Sequence, residues 1–486
     1  ILVLLGISEI QFYNNFAAIM KKVSKYIALI LILISGSLII NSLFEKKPLQ
    51  KIDFTKRYRS KAKNSSNEYE YYSDAEKDKI FQFIYRQQVN SLDSFMRIAK
   101  PNYRFNGNIL VSRKDRLIYN KSFGYSNLKT KEELNSNSIF QLASVSKQFT
   151  AMAIMILKEN GRLTFDDKVT LYFPNLPYKT MTIRHLLNHT SGLQNYMWLL
   201  EHYWDLKNKG YPYNDDMVKL LEKHKLPQNF RSGTRFEYSN TNYALLAAIV
   251  EEITMKYFSD YLKKEIFDPL EMQNTFVYSS AFEKKYPQKK VNGYKNSWRR
   301  TKIYDNVNDG TVGDKGINST VEDLYKWDQA LNNATLVSRE TLDEAYSKGS
   351  LKNGRKISYG FGFRLKEYNR KKVVYHHGQW SGFRNTYEKH VEDSLTFILL
   401  TNTNLPSKNT IDSKINKIIH KPISHFSEYL YRNINPDDIY SSIRSLSDQK
   451  LISYGKSNEL LSFRNLLLKM NKTQSANIIT DILNKN

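Results

Sequence analysis

Ser144 and Lys147 stand three positions apart in Phe140-Gln-Leu-Ala-Ser-Val-Ser-Lys-Gln-Phe-Thr-Ala151, at the front of an apolar, helix-like run. Three residues are nearly one helical turn, so the lysine amine can reach the serine hydroxyl. An amine that accepts or relays the hydroxyl proton turns a poor nucleophile into a good one at neutral pH. Backbone N–H groups left free at a helix N-terminus also favour negative charge developing beside Ser144. Taken alone, the pair also reads as an ordinary helix start, with Ser144 as the cap and Lys147 in water.

Two segments downstream carry compatible chemistry. Tyr238-Ser239-Asn240 follows a turn at Gly233 and precedes the apolar run Ala244 to Val250, so it lies on a loop entering a buried helix. A lysine ammonium beside Tyr238 is expected to lower its pKa and make it a general base; the alternative is a packed tyrosine with Asn240 capping the helix. His376-His377-Gly378 ends the strand-like Lys372-Val-Val-Tyr375. A glycine there permits close approach of a ligand, and the Gln379 N–H can join that of Ser144 as an oxyanion hole. Adjacent histidines also raise metal binding. No His-Glu-x-x-His arrangement or cysteine accompanies them, so the expectation is no metal and no cofactor.

In this order, Ser144-x-x-Lys147, Tyr238-x-Asn240 and His376-x-Gly378 resemble the serine β-lactamase and penicillin-binding-protein superfamily. The likeness is nearest to its class C-like branch of β-lactamase-related esterases, D-amino-acid-specific peptidases and DD-peptidase-like hydrolases. Thr182–Leu193, Gly313–Leu324 and Gly378–Phe383 are similar to further family segments, and the resemblance covers residues 76–405. It implies that Ser144 is acylated, that Lys147 holds the proton network, and that Tyr238 serves as base in acylation and deacylation. Asn240 would bind the substrate amide or Lys147, and the Ser144 and Gln379 N–H groups would hold the oxyanion. Gly382, Trp380 and Phe383 would shape the cleft rim. His376 stands where β-lactamases carry the lysine of Lys-Thr-Gly. A mostly neutral imidazole is a weaker carboxylate anchor, which favours esters or D-amino-acid peptides over β-lactams. Lys315 stands where glycine is expected in many relatives and reads as a loop decoration. The competing function is a non-catalytic, penicillin-receptor-like wall-binding or signalling protein of the same fold.

Composition bounds the rest. The 486 residues, 41% hydrophobic, suffice for one large domain with extras. Zero cysteines exclude disulfides, thiolate metal sites, a cysteine nucleophile and a lipidated cysteine. The net charge of +25 is spread along the chain without a nucleic-acid-binding motif, so it reads as a lysine-rich surface suited to anionic lipid or cell wall, with no nucleic-acid partner.

These residues must be positioned by elements from both ends of the chain. Asn108–Ser112 and Leu117–Tyr119 form a hairpin, and strands return at Ser358–Leu365, Val373–Tyr375 and Leu395–Leu400, with helices between. Lys77 to Met96 reads as one helix, the nucleophile helix ends at Gly161, and Ser319-Thr-Val-Glu322 opens another as a capping box. The class is α+β: an antiparallel sheet flanked by helices, plus a helical subdomain, with the site where they meet. Domain 76–405 is flanked by a polar linker (48–75) and a helical C-terminal extension (406–486). Tyr26 to Phe44, behind Met20-Lys-Lys-Val-Ser-Lys25, is apolar and lacks a polar face, so 20–47 reads as a transmembrane anchor or signal peptide. Met20 is where such a segment would start, which sets residues 1–19 apart as upstream of it. By the positive-inside rule, the six basic residues after the segment (Lys46, Lys47, Lys51, Lys56, Arg57 and Arg59), against Lys21, Lys22 and Lys25 before it, would place the enzyme in the cytoplasm, although large domains translocate largely regardless of charge. The resemblance implies export to the bacterial cell envelope, membrane-anchored or periplasmic, acting on a small ester or peptide or on cell wall.

Overall fold

The hairpin read around Lys114-Asp115 is where the sheet begins. Strands β1 (Gly107–Arg113) and β2 (Arg116–Phe123) pair antiparallel across those two residues. Both hold positive φ, 48° and 54°, as in the two-residue turns whose twist matches that of strands. The computed structural model describes residues 70–278, 291–295, 300–405, 408–446, 450–451, 453 and 457–485. The segment 20–47 and most of the linker lie outside them. Among the described residues no helix is long and apolar enough to cross a membrane.

Four more strands come from the far end: β3 (Arg364–Tyr368), β4 (Lys371–Trp380), β5 (Phe383–His390) and β6 (Leu395–Thr401). All pairings are antiparallel, in the spatial order β3-β4-β5-β6-β1-β2. The two chain ends meet where Gly107 faces Thr401 and Arg113 faces Leu395. One antiparallel sheet built from both ends, with helices between, is the α+β architecture expected. Strand boundaries differ. The strand read from Ser358 begins only at Arg364, and β4 continues through the histidine pair to Trp380. β5 went unread because it is rich in charge. Its Glu388 and Lys389 are nevertheless buried, paired to Lys366 at 2.8 Å and Asp328 at 2.9 Å.

The first helix is two, α1 (Asp74–Ile84) and α2 (Arg86–Asn102), broken at Tyr85; Ser73 and Glu76 close a capping box at the start of α1. Helix α3 (Lys147–Glu159) is buried from Lys147 to Leu157 and lies at the centre of the main core, with Phe149 against Trp327 at 4.3 Å. Helix α4 (Asn240–Thr254) is similarly buried. Helix α5 (Val321–Asn332) starts one residue later than the expected box. Ser319 ends a short strand, and Thr320 caps by accepting from Asp323 N at 3.1 Å. On the sheet face opposite α3, Leu92 and Met96 of α2 and Ile411 and Ile415 of α6 (Lys408–Ile419) bury Ile109, Val111, Phe397 and Leu399. Beyond them α7 (His425–Asn433), α8 (Ser457–Lys469) and α9 (Thr473–Asn484) share an apolar cluster with α1. The described residues form one compact unit.

Candidate active site

Ser144 sits in a single 3₁₀ turn, Ala143–Ser146, that runs directly into α3. The turn is fixed from behind: Phe140–Gln141 pair with Asn318–Ser319, and Leu142 N donates to Ile317 O at 2.8 Å. Ala143 holds φ at +52°, a region that costs a residue with a Cβ some strain, and this bend presents Ser144 at the mouth of the helix. In a 3₁₀ turn positions i and i+3 nearly eclipse, so the Ser-x-x-Lys spacing brings the two side chains together.

Lys147 Nζ lies 3.2 Å from Ser144 Oγ, 2.8 Å from Asn240 Oδ1 and 2.8 Å from the Asp314 carbonyl. With two directions taken by fixed acceptors, the third points at the serine. The side chain is 0% exposed, and burial pushes its pKa down to about 7; the Asp314 charge opposes this and the Arg364 charge adds to it. A substantial fraction is therefore neutral amine at neutral pH.

Tyr238 does not have the lowered pKa expected of it. Lys147 Nζ lies over the ring, 4.9 Å from its centroid, and burial drives the phenol up, against the lowering effects of the Ser144 hydroxyl and Arg364. Its hydroxyl is buried without a well-formed hydrogen bond among the described residues. The Tyr238 loop is held by a residue to which sequence reading gave no role, His189. That imidazole accepts from Ser239 N at 3.3 Å, contacts Asn242 Nδ2 at 2.8 Å, and packs 4.3 Å from the Tyr238 ring.

Histidines 376 and 377 point to opposite faces of β4, as neighbours in a strand must, so they do not converge on one ion. His376 Nδ1 is 2.7 Å from the His377 carbonyl, which makes it the protonated nitrogen, and Nε2 accepts from the Tyr359 hydroxyl at 3.1 Å. Burial, with Lys147 and Arg364 nearby, holds its pKa well below 6.5. His377 Nε2 instead faces Asp412 of α6 at 3.7 Å.

Gly378 is a glycine for a different reason than ligand approach: a Cβ there would lie 2.1 Å from the Leu142 carbonyl. The strand thus packs its backbone directly on the nucleophile turn. Ser381 and Gly382, at φ 42° and 88°, form a two-residue turn closed by the pair Trp380 and Phe383. Alternation along the ladder then turns the Gln379 N–H away from β5. Pairing with β3 ends at Arg364 and Tyr375, so that N–H faces an open edge next to Ser144. Phe383 is not a rim residue. It is 3% exposed and packs on Phe140, while Trp380 Nε1 donates to Asp309 at 2.6 Å.

A cavity of about 340 Å³ is bounded by Ser144, Tyr238, His376, Gln379 and three cations that the sequence did not single out: Arg364, Arg384 and Lys408. They arrive from β3, β5 and α6, and only the register reveals that they converge. Lys315, read as a loop decoration, is 3% exposed.

A family model described as Beta-lactamase matches residues 99–418. The chain is 36% identical over 322 residues to Penicillin-binding protein 4* of Bacillus subtilis (strain 168), covering 64% of this chain and 71% of that protein. It is 27% identical to the teichoic acid D-alanine hydrolase of Staphylococcus aureus (strain NCTC 8325 / PS 47), covering 62% and 73% respectively. Among solved structures, the D-amino acid amidase from Ochrobactrum anthropi SV3 complexed with D-phenylalanine shares the fold, with a TM-score of 0.55 at 23% identity over 69% of this chain and 98% of that one.

Proposed function

Because this chain belongs to the beta-lactamase family, we propose that it is a serine hydrolase acting through an acyl-enzyme on Ser144, on amide or ester bonds of D-amino-acid compounds of the cell envelope. The observation that carries the reading is Lys147: a buried amine 3.2 Å from a hydroxyl, with a pKa of about 7. In acylation Ser144 Oγ bonds to the substrate carbonyl carbon and its proton passes to neutral Lys147. The N–H groups of Ser144 and Gln379 hold the oxyanion. Tyr238, a phenol rather than a phenolate, gives its proton to the leaving group and takes one back by way of solvent from the Lys147 ammonium, whose Nζ faces the Tyr238 ring and not its hydroxyl. The amine is then neutral again and takes a proton from water as that water attacks the acyl ester; the bond to Ser144 Oγ breaks, Lys147 returns the proton to that oxygen, and the acid and the Ser144 hydroxyl are freed.

His376 supplies no fixed charge, but Arg364 and Arg384 give the cavity a positive wall, while the Lys408 ammonium beside them is paired with Asp412 at 2.5 Å. That wall suits a substrate carrying a carboxylate or phosphate. A relative named for D-alanine hydrolysis from teichoic acid supports D-alanyl esters, and the names of the relatives support a place at the cell envelope. We extend this to anchoring or export through residues 20–47, which fractionation of cells expressing the full chain would test.

A panel of p-nitrophenyl esters, D-alanyl esters and amides, D-Ala-D-Ala peptides and nitrocefin tests the reading. Wild type should hydrolyse D-alanyl compounds and esters well and nitrocefin poorly. Ser144→Ala should lose activity on the order of 10⁴-fold or more, and mass mapping should find the acyl group on Ser144. Acylation without turnover would support a receptor instead, and unchanged activity in Ser144→Ala would remove the nucleophile.

A further inference from the structure

Behind Lys147 lies a second buried lysine that the proposed reaction does not use. Lys315 Nζ donates to the Tyr196 hydroxyl at 2.7 Å and the Thr311 carbonyl at 3.2 Å, and lies 3.4 Å from Asp314 Oδ1. It faces the Tyr196 and Trp380 rings at 5.4 and 5.2 Å. Tyr196 in turn donates to Asp314 Oδ1 at 3.2 Å. Asp314 therefore works with two ends: its backbone carbonyl accepts from Lys147, while its carboxylate is held by Lys315 and Tyr196.

We infer that Lys315 is a positioning residue for the proposed reaction: its ammonium occupies the Asp314 carboxylate, so that Asp314 presents Lys147 with a carbonyl to orient it and with little net charge. The inference rests on the hydrolase reading of the same site. Its physical basis is that charges interact strongly in a water-free interior. The Asp314 carboxylate favours the protonated form of Lys147, and a protonated Lys147 cannot take the Ser144 proton. A cation on the far side of Asp314 cancels much of that field. The other groups facing Lys147 do not replace it. Arg364 is already a cation acting in the same sense, His189 and His376 are held neutral by burial, and Tyr238 and Tyr243 present ring faces. Burial lowers the pKa of Lys315 itself, and the Asp314 and Asp309 carboxylates that face it act against this to keep it an ammonium, with Lys147 acting the other way. Asp309 also accepts from Trp380, next to the oxyanion donor Gln379, so the same cluster ties the Gly313–Gly316 loop to the end of β4.

The experiment is the pH profile of kcat/KM on a p-nitrophenyl ester, with the full chain, for wild type, Lys315→Met and Tyr196→Phe. Lys315→Met keeps the length and apolar bulk and leaves Asp314 with Lys147 as its ammonium. Its acid limb should move upward by about one pH unit, with KM little changed. Tyr196→Phe loses one hydroxyl and should move the limb the same way by less; it decides the question should Lys315→Met not fold. If wild type neither turns over ester nor is acylated at Ser144, the hydrolase reading has failed. If wild type is active and the limb stays in place or moves down in the variants, even with a lower kcat, Lys315 only packs and the inference alone is overturned.

Discussion

A lysine can serve as a base near pH 7 only where its ammonium is expensive, and burial makes it so at Lys147. The neutral amine is the working form, so kcat/KM should rise through a limb near pH 7 and sit roughly tenfold below its plateau at pH 6. The same shift has a cost in stability, with a definite sign. The folded pKa of about 7 lies below the ordinary 10.5, so between those values the unfolded chain binds more protons and stability rises with pH. The lysine's penalty is complete below pH 7 and vanishes as pH approaches 10.5. Lys147→Met should therefore be inactive, and any gain in Tm over wild type should shrink steadily from pH 7 to 10; a difference independent of pH would contradict the buried-amine account. Tyr238 separates in another way. As a proton donor to the leaving group it matters for amides and hardly for p-nitrophenolate, which leaves without a proton. Tyr238→Phe should lose about 10² to 10⁴-fold on a D-alanyl amide and far less on the p-nitrophenyl ester. Equal losses on both would return Tyr238 to the role of base.

The elements explain why these residues meet. β4 lies against the 142–143 turn with no side chain between them, and Gly378→Ala would force a Cβ to within 2.1 Å of the Leu142 carbonyl. Either the strand or the turn must shift. The expected result is a loss of about 1–3 kcal/mol in stability together with a fall in kcat, because the Gln379 N–H moves with the strand. Unfolding curves and ester kinetics on the variant check both; a native Tm with full activity would mean the backbone does not need this contact. The sequence was legible where chemistry and local geometry coincide. Ser144 and Lys147 lie one turn apart, the 114–115 hairpin obeys turn rules, and α3 carries an unbroken apolar run from Ala151 to Leu157. It was not legible where long-range register decides. Arg364 looks like any surface arginine until β3 pairs it with Tyr375, and charge-rich β5 is buried only because Asp328 and Lys366 come from elsewhere to meet it. Tyr238 shows a third limit. The sequence placed it beside Lys147, but whether an ammonium meets a hydroxyl or a ring face depends on a few ångströms of packing.

For the molecule as a whole, residues beyond 405 bear on both the site and the fold. α6 brings Lys408 to the cavity and ties to the sheet through Thr386, which donates to Asp412 at 2.8 Å. Farther on, α7–α9 cover α1 and the start of β2. Phe83 packs on Phe463 at 5.3 Å, Arg86 pairs with Glu459, Gln88 donates to the Lys421 carbonyl at 2.7 Å, and Tyr72 donates to Ser475 at 2.7 Å. A chain ending after residue 420 would keep Lys408 and every site residue but expose Phe81, Ile84, Tyr85 and Ile118. Each large apolar side chain is worth about 1.5–3 kcal/mol when buried, against a total margin of about 5–15 kcal/mol. Loss of several at once should consume most of that margin. The shortened protein should therefore melt far below the full chain or aggregate, even though no group in contact with substrate has been removed. Calorimetry and size-exclusion chromatography of the two proteins decide this. A monomeric product with the full chain's Tm would show that α7–α9 are an independent appendage, whereas early melting makes them part of what holds the N-terminal helices, and through them the sheet, beneath the site.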